Sequence, residues 1–179
     1  MMQITIEPFH RSRHVALNAH MQRHREESGR NDIHFMPFEP DDEQGPKGVD
    51  LSKHELPLNR LGWQRSFIAT EEESNKIIAH LHLKSDLLAT TMHRCWLEIG
   101  IEKAWRRLGI GTRLIKTAIQ FAQQHTSVEW LDLYTFGINA PALALYESMG
   151  FTRIGIVKDR FRISGESIDD VMMTFNIKT

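Results

Sequence analysis

The feature that most constrains the fold of this sequence is an apolar strand followed by a glycine-containing turn and an amphipathic helix. The strand ends at Ile101, the turn contains Arg106 and Gly109, and the helix is predicted over residues 109–125. Apolar side chains recur along that helix at the three- and four-residue spacing of a single face. A strand and a one-sided helix joined so closely bury their apolar surfaces in a layered sheet, so the unit predicts an α/β domain.

The remaining pattern of apolar residues and turns extends this unit to the whole chain. Strands are predicted at residues 3–7, 66–70, 76–84, 95–101, 130–136, 152–163 and 169–177, and helices at 11–28, 51–61, 109–125 and 140–149. Prolines and glycines make residues 35–48 a long loop. No repeat or linker divides the 179 residues, so they predict one domain, residues 1–179, built around a mixed sheet.

Composition and charge argue against several classes of protein. The 22 basic and 23 acidic side chains give a formal net charge of −1, which provides no general attraction to nucleic acid or to an anionic membrane. The single cysteine, Cys95, allows neither an intramolecular disulfide nor a cysteine-based zinc site. The amino terminus lacks the apolar run of a signal peptide, and no segment has the length of a membrane span. The sequence therefore predicts a cytoplasmic protein.

The glycine-containing turn carries the clearest chemistry. A helix amino terminus presents unpaired backbone N–H groups and the positive end of the helix dipole, and both attract phosphate. Gly109 and Gly111 allow an anion to approach the backbone, and Arg106 and Arg107 add positive charge. The motif is neither a P-loop, because no Lys-Ser/Thr pair follows, nor a dinucleotide fingerprint, because Leu114 replaces the third glycine. An ordinary tight turn before a helix remains the alternative.

A second motif follows one helix and one strand later. It comprises Asn139, Ala142, Leu145, Tyr146, Glu147, Gly150 and Phe151, spaced as N-x-x-A-x-x-L-Y-E-x-x-G-F. Together the two motifs resemble the GNAT superfamily of N-acetyltransferases over residues 96–177, and the last hairpin resembles its ribosomal-protein-acetyltransferase-like branch. The resemblance implies a single GNAT-fold domain. Its mixed sheet would have six to seven strands, splayed at the centre and flanked by helices on both faces.

The same resemblance implies acetyl-CoA as the acetyl donor. Residues 93–151 would form the acetyl-CoA-binding core and residues 1–65 the acceptor side. The pantetheine arm would enter between the splayed strands and pair with the backbone of the first, and the turn would hold the pyrophosphate. The implied cofactor-binding residues are Ile99, Gly100, Ile101, Arg106, Arg107, Leu108, Gly109, Ile110, Gly111, Thr112, Asn139 and Tyr146. Direct transfer needs no metal, and homodimers are common in the family.

Two side chains are predicted, from the resemblance, to act in catalysis. Tyr146 matches a family tyrosine near the cofactor sulfur and would protonate the leaving thiolate, while Glu98 would accept the proton of the amine through water. The alternatives are a packing role for Tyr146 and a solvated position for Glu98. Tyr134 stands where ribosomal-protein alanine acetyltransferases carry a glutamate base, which argues against a peptide amino terminus as the acceptor.

These residues predict transfer of an acetyl group to a primary amine, preferably a small amine or an amino acid. Two other functions stay open. One is a protein N-terminal or lysine acetyltransferase, and the other is a catalytically weak acyl-CoA-binding module that regulates a partner.

The chain has ten histidines, and six of them have regular spacing: His10, His14, His20 and His24 on the first helix, and His80 and His82 on one strand. The helical histidines are predicted to be surface residues rather than metal ligands, although one of them could act as a proton shuttle at the acceptor site. The strand histidines share one face, which is predicted to be partly solvated.

Aromatic and acidic residues around the long loop could line a pocket for a cationic amine, namely Phe35, Phe38, Trp63, Glu39, Asp41, Asp42 and Glu43. A disordered acidic loop is the favoured alternative. Cys95 is predicted to be a small buried residue rather than a nucleophile. Asp169 and Asp170 are predicted to begin the last strand.

Overall fold

The computed structural model of the chain describes residues 3–28, 36–39, 48–124 and 127–178. Seven strands form one sheet in the order β1-β2-β3-β4-β5-β7-β6. The elements are β1 (Ile4–Pro8), α1 (His14–Glu27), α2 (Leu51–Glu55), β2 (Gln64–Glu71), β3 (Lys76–Ser85), β4 (Arg94–Ile101), α3 (Ile110–Gln124), β5 (Trp130–Phe136), α4 (Ala140–Ser148), β6 (Thr152–Ile163) and β7 (Glu166–Asn176). This arrangement confirms the predicted α/β fold with a mixed sheet.

The sheet is open at its centre. All neighbouring strands are antiparallel except β4 and β5, which run parallel and are joined by the crossover helix α3. Their pairing covers only residues 94–96 of β4 and 130–132 of β5. Because β5 stays paired with β7 along its whole length, the second half of β4 has no neighbour on that side within the described sheet. This is the splay that the family resemblance predicted.

Helices cover both faces of the sheet. On one face, Leu17 of α1 packs with Ile68 and Ile77. On the other face, Leu114 of α3 belongs to the large core that includes Phe67. Phe67 and Ile68 are consecutive residues of β2, so their side chains project to opposite faces. The α1 helix and the α3 helix therefore lie on opposite sides of the sheet.

The two helices that flank β5 form where their sequences favour them. The predicted apolar stripe of α3 is buried, with Leu114, Ala118 and Ala122 at most 1% exposed. Asn139 caps the amino terminus of α4. Gly150, with a φ of 91°, follows the carboxyl end of α4 in the left-handed conformation that glycine adopts easily.

Two helices are shorter than predicted. Residues 11–13 form a separate 3-10 turn, so the first α-helix begins at His14. Val15, an apolar residue of the predicted first helix, is 80% exposed. The second helix ends at Glu55, because Pro57 disfavours helical backbone at the residue before it.

The last strand begins earlier than predicted. Ser164 and Gly165 both have positive φ and close a two-residue turn, so β7 starts at Glu166. Asp169 and Asp170 consequently lie inside the strand rather than at its start. Most of the long loop predicted over residues 35–48 lies outside the described residues. No helix in the described part of the chain is long and apolar enough to cross a membrane.

Asp132 holds together the paired end of the parallel strands. Its carboxylate is buried and accepts two hydrogen bonds of 2.6 Å from the Arg94 guanidinium and one of 2.6 Å from the Thr174 hydroxyl. The bonds from Arg94 raise the pKa of that guanidinium.

Asp132→Ala is expected to lower the free energy of unfolding by about 3 kcal/mol, because it leaves Arg94 without its partner at a largely buried position. Denaturant unfolding measures this loss. Glu55→Ala is the control, since Glu55 and Arg11 form an exposed ion pair, and it is expected to cost less than about 1 kcal/mol. Equal losses in the two variants would contradict a stabilising role for the buried pair.

Candidate active site

The opening between β4 and β5 continues into a cleft of about 1680 Å³. One side is formed by the turn before α3, by the start of α3 and by α4. The other side is formed by α1, residues 36–38 and the exposed ends of β4 and β5. The cleft therefore joins the two faces of the sheet at the splay, and it brings together residues from both halves of the chain.

The turn before α3 has the geometry of an anion-binding site. Arg107 and Gly109 have φ values of 64° and 74°, and this left-handed backbone directs successive N–H groups outward. A Cβ built on Gly109 meets no atom within 4 Å, so the space in front of it is open. The first helical hydrogen bond runs from Arg113 N–H to Gly109 C=O, and the N–H groups that precede it, including those of Ile110 and Gly111, have no partner within the helix.

Gly111 also has a packing role that the sequence does not show. A Cβ at this position would lie 2.7 Å from Leu145 Cδ2 and 3.3 Å from Ile101 Cδ1. Both distances are shorter than a normal carbon–carbon contact. Gly111 is therefore required for close packing of α3 against α4 and the end of β4, whereas Gly109 leaves room for a ligand.

The two arginines of the turn are held differently. Arg106 donates from Nε to Ile101 C=O at 3.0 Å and from Nη2 to Glu27 at 3.2 Å. Burial lowers the pKa of this guanidinium, and the neighbouring Glu27 opposes that shift. Arg106 thus ties the turn to β4 and α1, while Arg107 is exposed at the cleft and supplies positive charge there.

The other predicted cofactor-binding residues of the turn also line the cleft, with one exception. Leu108 is half exposed and is not among the lining residues. Ile110 is buried in the core, so its backbone N–H rather than its side chain is available to a ligand. Ile99 and Thr112 are half-buried and line the cleft.

Tyr146 lies on α4 and forms part of the cleft wall. It is 5% exposed and packs against Phe151 with ring centroids 5.9 Å apart. Burial raises the pKa of its hydroxyl, so the group is protonated at neutral pH and is able to donate. Asn139 also lines the cleft, but its Oδ1 accepts a hydrogen bond from Ala142 N–H at 3.2 Å. Its side-chain carbonyl is thus already engaged in capping α4.

Glu98 lies at the solvated edge of the cleft. Its side chain is 55% exposed and its carboxylate is 2.5 Å from Lys84 Nζ. In the antiparallel pairing of β3 and β4, Glu98 lies directly opposite His82, so the two side chains share one face of the sheet. Lys84, two residues after His82 on β3, projects to the same face, which α1 covers. Glu98 therefore lines the cleft, but its carboxylate forms an ion pair with Lys84.

The helical histidines were predicted to lie on the surface, and this is wrong for two of them. His20 is fully buried and His24 is 5% exposed. The cause is that one turn of α1 faces β3 and β4, where small and polar residues leave room for the rings. His10 is exposed, and His14 is half-buried with its Nε2 3.1 Å from Val49 C=O.

The strand histidines are also buried, contrary to prediction. His80 and His82 are each 3% exposed, because α1 and α2 cover the face that was predicted to be solvated. Burial lowers the pKa of each well below its usual value, and the positive charge of Lys84 acts in the same direction. Both imidazoles are therefore neutral at pH 7.

The buried histidines form a hydrogen-bonded chain with Glu102, a residue that the sequence analysis did not identify. Glu102 Oε1 is 2.8 Å from His20 Nδ1, and His20 Nε2 is 2.9 Å from His80 Nδ1. Burial alone would raise the pKa of Glu102, but hydrogen bonds from His20, Lys76 and Arg23 outweigh it and lower the pKa to about 2. Glu102 is consequently a buried carboxylate anion.

A second hydrogen-bonded chain lies on the same face. Ser66 Oγ is 2.6 Å from His82 Nδ1 and 2.7 Å from His54 Nε2. Burial lowers the pKa of His54 as well. The rings of His80 and His82 are 4.6 Å apart, centroid to centroid. No group of three or more metal-ligating side chains in the described part of the chain has the geometry to hold a metal ion.

Several residues proposed for an amine pocket lie elsewhere. Trp63 is 1% exposed and belongs to the main core, so it does not line the cleft. Phe38 does line it and lies under the Arg25 guanidinium at 5.2 Å. Glu39 accepts hydrogen bonds from the Ser164 backbone N–H at 3.0 and 3.1 Å. The remaining residues of that prediction, Phe35, Asp41, Asp42 and Glu43, lie outside the described residues.

Cys95 is buried, as predicted. Burial raises the pKa of its thiol, so the reactive thiolate form is disfavoured.

Part of the cleft has aromatic walls. Trp96 and Tyr134 stack with centroids 5.3 Å apart, and Phe136 contacts Phe161 at the same distance. Asp170 is also part of this wall and is 3% exposed. Burial raises the pKa of its carboxyl, and nearby Arg160 opposes the shift.

The fold and the cleft define an α/β protein that can hold an anionic ligand between two splayed strands. The chain belongs to the Acetyltransferase (GNAT) family, which it matches over residues 32–151. It is 40% identical over 67 residues to the N-alpha-acetyltransferase RimI of Mycobacterium tuberculosis, a match covering 37% of this chain and 40% of that protein. It is 25% identical over 97 residues to the L-amino acid N-acetyltransferase AaaT of Escherichia coli, covering 54% of this chain and 60% of that protein.

A GNAT-family acetyltransferase from Streptococcus pneumoniae has the same fold. The TM-score is 0.82 at 22% identity, over 97% of this chain and 99% of that one. The curated relatives are matched over less than two thirds of their own length. Membership of the family confirms the resemblance on which the sequence analysis relied.

Proposed function

We propose that this protein transfers the acetyl group of acetyl-CoA to a primary amine, and that the acceptor is a small amine or an amino acid. The observation that carries the proposal is the continuous cleft. It joins an open, left-handed, positively charged turn to the unpaired edge of β4 at the splay. Such a cleft fits a long ligand with a diphosphate at one end and a reactive group at the other.

The residues present fit acetyl-CoA as the donor. The turn from Arg107 to Gly109 would receive the pyrophosphate, because the space in front of Gly109 is open. The unpaired backbone of β4 beyond Trp96 would pair with the amide groups of the pantetheine arm as an added strand does. A backbone N–H there would polarise the thioester carbonyl.

Tyr146 would supply the proton that the leaving thiolate requires. Its hydroxyl is protonated at neutral pH, and it lies in the wall of the cleft on α4. The transfer needs no enzyme nucleophile, and Cys95, which is buried with a raised thiol pKa, is not placed to serve as one.

A small cationic acceptor is favoured by the opposite end of the cleft. The Trp96 ring, which stacks on Tyr134, lines the cleft and offers an aromatic surface to an ammonium group. Tyr134 itself is already covered by the Arg160 guanidinium at 5.1 Å. Glu98 adds a partly exposed carboxylate at the edge. Tyr134 replaces the glutamate expected in ribosomal-protein alanine acetyltransferases, which argues against a peptide amino terminus. The likeness to an L-amino acid N-acetyltransferase points in the same direction. Protein N-terminal or lysine acetylation is the second candidate.

The experiment is an acetylation screen of purified protein with acetyl-CoA. The panel contains small amines, L-amino acids, and peptides with free amino termini or lysines, and free-thiol release is the readout. Turnover with small amines or amino acids, confirmed by mass spectrometry of the acetylated product, supports the proposal. Turnover with peptides alone would contradict a small acceptor and identify a peptide amine as the acceptor. Absence of turnover together with retained acetyl-CoA binding would favour an acyl-CoA-binding module.

Tyr146→Phe is expected to lower kcat by roughly 10- to 100-fold while the Kd for acetyl-CoA stays within about 3-fold of the wild type, because only the proton donor is removed. Steady-state kinetics and calorimetry measure the two quantities. An unchanged kcat would assign Tyr146 a packing role. A large loss of acetyl-CoA affinity would instead show that its hydroxyl binds the cofactor.

A further inference from the structure

The buried chain of Glu102, His20 and His80 is unusual for its position. All three residues are at most 4% exposed, and Glu102 carries a full negative charge at neutral pH. Burying ionisable groups is costly unless each has a partner. A hydrogen-bonded carboxylate–imidazole–imidazole chain beside a cleft is therefore better explained by a chemical role than by stability alone.

The hydrogen-bond pattern sets the tautomers. Because Glu102 is a carboxylate and can only accept, His20 Nδ1 carries a hydrogen and donates to it. When His20 is neutral, its Nε2 is then an acceptor, so His80 Nδ1 must donate to it. A neutral His80 with its hydrogen on Nδ1 has a lone pair on Nε2. The chain thus orients His80 as a proton acceptor, in the way a carboxylate orients a catalytic histidine.

His80 lies at the splay. It pairs with Gly100 across β3 and β4, and it contributes to the wall of the cleft. A Cβ at Gly100 would lie 2.5 Å from His80 Cε1 and 2.7 Å from the His24 ring. Only glycine allows the imidazoles to lie so close to β4. Gly100 is in the half of β4 that does not pair with β5. This half is the region proposed to receive the thioester.

We propose that His80 is the proton acceptor for the amine substrate, and that His20 and Glu102 are positioning residues that orient it and stabilise the transferred proton. The inference rests on the proposed function and deepens it. It assigns to the histidine chain the role that the sequence analysis gave to Glu98.

The proton balance is complete without another reagent. An ammonium substrate gives one proton to His80 Nε2, and the hydrogen on His80 Nδ1 passes to His20 Nε2. His20 becomes a cation in contact with the Glu102 carboxylate. The amine nitrogen bonds to the thioester carbon, the carbon–sulfur bond breaks, and the thiolate takes the proton of the Tyr146 hydroxyl. The second proton of the attacking nitrogen restores Tyr146, and the relay proton returns to solvent.

The groups around His80 keep its imidazole neutral at rest. His82, His20, His24 and Lys84 add to the burial that lowers the pKa of His80. Burial, His20 and Arg106 lower the pKa of His24 to about 3, opposed by Glu102. Arg23 and Lys76 pair with Glu102, and Glu27 lies 3.7 Å from His24 Nδ1. Glu102 is therefore the carboxylate that directly contacts the chain.

The kinetic test uses His80→Asn, His20→Asn and Glu102→Gln, with an amine whose pKa is near that of lysine, about 10.4. At pH 7 each variant is expected to lose about 100-fold in kcat/KM. Without the relay the enzyme depends on amine that is already neutral, a fraction that rises about 100-fold from pH 7 to pH 9. The deficit is therefore expected to shrink to a few-fold at pH 9.

His54→Asn is the matched control, because His54 belongs to the second hydrogen-bonded chain on the same face and does not contact Glu102. It is expected to retain wild-type kcat/KM at both pH values. Calorimetry with acetyl-CoA and circular dichroism check that each variant binds the donor and folds. A deficit that is equal at pH 7 and pH 9, or no deficit, in well-folded His80→Asn and His20→Asn proteins would overturn the relay.

A spectroscopic test separates the relay from the proposed function. In the ligand-free protein, the ¹⁵N shifts of the imidazoles at pH 7.5 are expected to show hydrogen on Nδ1 of His20 and of His80. Hydrogen on Nε2 of a neutral His80 would overturn the relay whatever the enzyme's activity. Absence of turnover with every amine would instead refute the proposed function. The imidazole ¹⁵N shifts would still show whether the hydrogen positions on His20 and His80 are those that the relay requires.

Discussion

Replacing Arg107 and Gly109 together by glutamate is expected to weaken acetyl-CoA binding at least about 100-fold, because two negative charges then face the pyrophosphate at a helix amino terminus. Arg107 is exposed at the cleft, and a side chain built on Gly109 would occupy the open space in front of the turn. Isothermal titration of acetyl-CoA into the wild type and the double variant measures the effect.

The control must reproduce both the charge change and the backbone strain of the double variant. Lys116→Glu with Gly165→Glu does so. Lys116 is exposed on α3, and Gly165 has a φ of 82° with no atom within 4 Å of a built Cβ, compared with 74° for Gly109. Neither residue lines the cleft, so this second double variant is expected to bind acetyl-CoA within about 3-fold of the wild type.

The outcomes have distinct meanings. Loss of binding in the first double variant alone locates the diphosphate at the turn. Equal weakening in both would indicate a general effect of charge or strain, and it would contradict the assignment. A wild type that binds neither acetyl-CoA nor free CoA would overturn the proposed function, although the fold would stand.

Lowering the pH from 6.5 to 5 is expected to remove at least about 1.5 kcal/mol from the free energy of unfolding, because buried histidines that stay neutral in the folded protein bind protons in the unfolded chain. The pKa of His24 is lowered to about 3, and those of His80 and His82 are lowered well below 6.5. Burial is the main cause in each case. His24 contributes about 1.5 kcal/mol over this pH interval, and His80 and His82 add to the loss in the same direction.

The sign follows from proton binding. A histidine whose pKa is lower in the folded state makes the unfolded state bind more protons as the pH falls below 6.5. The stability is therefore fully present above about pH 6.5 and is lost progressively at lower pH. Urea unfolding at pH 7, 6 and 5 measures it. His24→Gln is expected to reduce the pH-dependent loss by about 1.5 kcal/mol, and a loss unaffected by histidine replacement would contradict the explanation.

The first prediction concerns the turn before α3, and the second concerns buried histidines, of which His24 and His80 line the cleft. The turn before α3 is formed by residues close together in the sequence, and its expected contribution is donor binding. The histidine chain is formed by residues from α1, β3 and the end of β4, and its expected contribution is proton transfer. Because the buried histidines are neutral, the protein loses stability at acid pH. Such a loss is typical of functional sites, where stability is reduced in favour of activity.

Local features of the fold were predictable from the sequence. The apolar stripe of α3, the glycine that follows α4 and the turn before α3 each depend on a few neighbouring residues, and each was found where the sequence placed it. The order of strands and helices followed from the pattern of apolar residues and turns, and the central splay followed from the family resemblance. The bounds of the early helices and of β7 were less well predicted: the first helix begins at His14, the second ends at Glu55, and β7 starts directly after the turn at Ser164 and Gly165.

The sequence by itself determined the turn before α3, because Arg107, Gly109 and the helix they precede lie within one short segment and depend on its own backbone conformation. Only the tertiary structure decided the histidine chain. His20 contacts His80, which is 60 positions away in the sequence, and Glu102, which is 82 positions away. No local periodicity encodes such contacts. The same holds for Gly111 and Trp63. Whether such a residue faces a ligand or the core depends on which distant element packs against it. That packing is fixed only when the sheet and its two helical layers assemble.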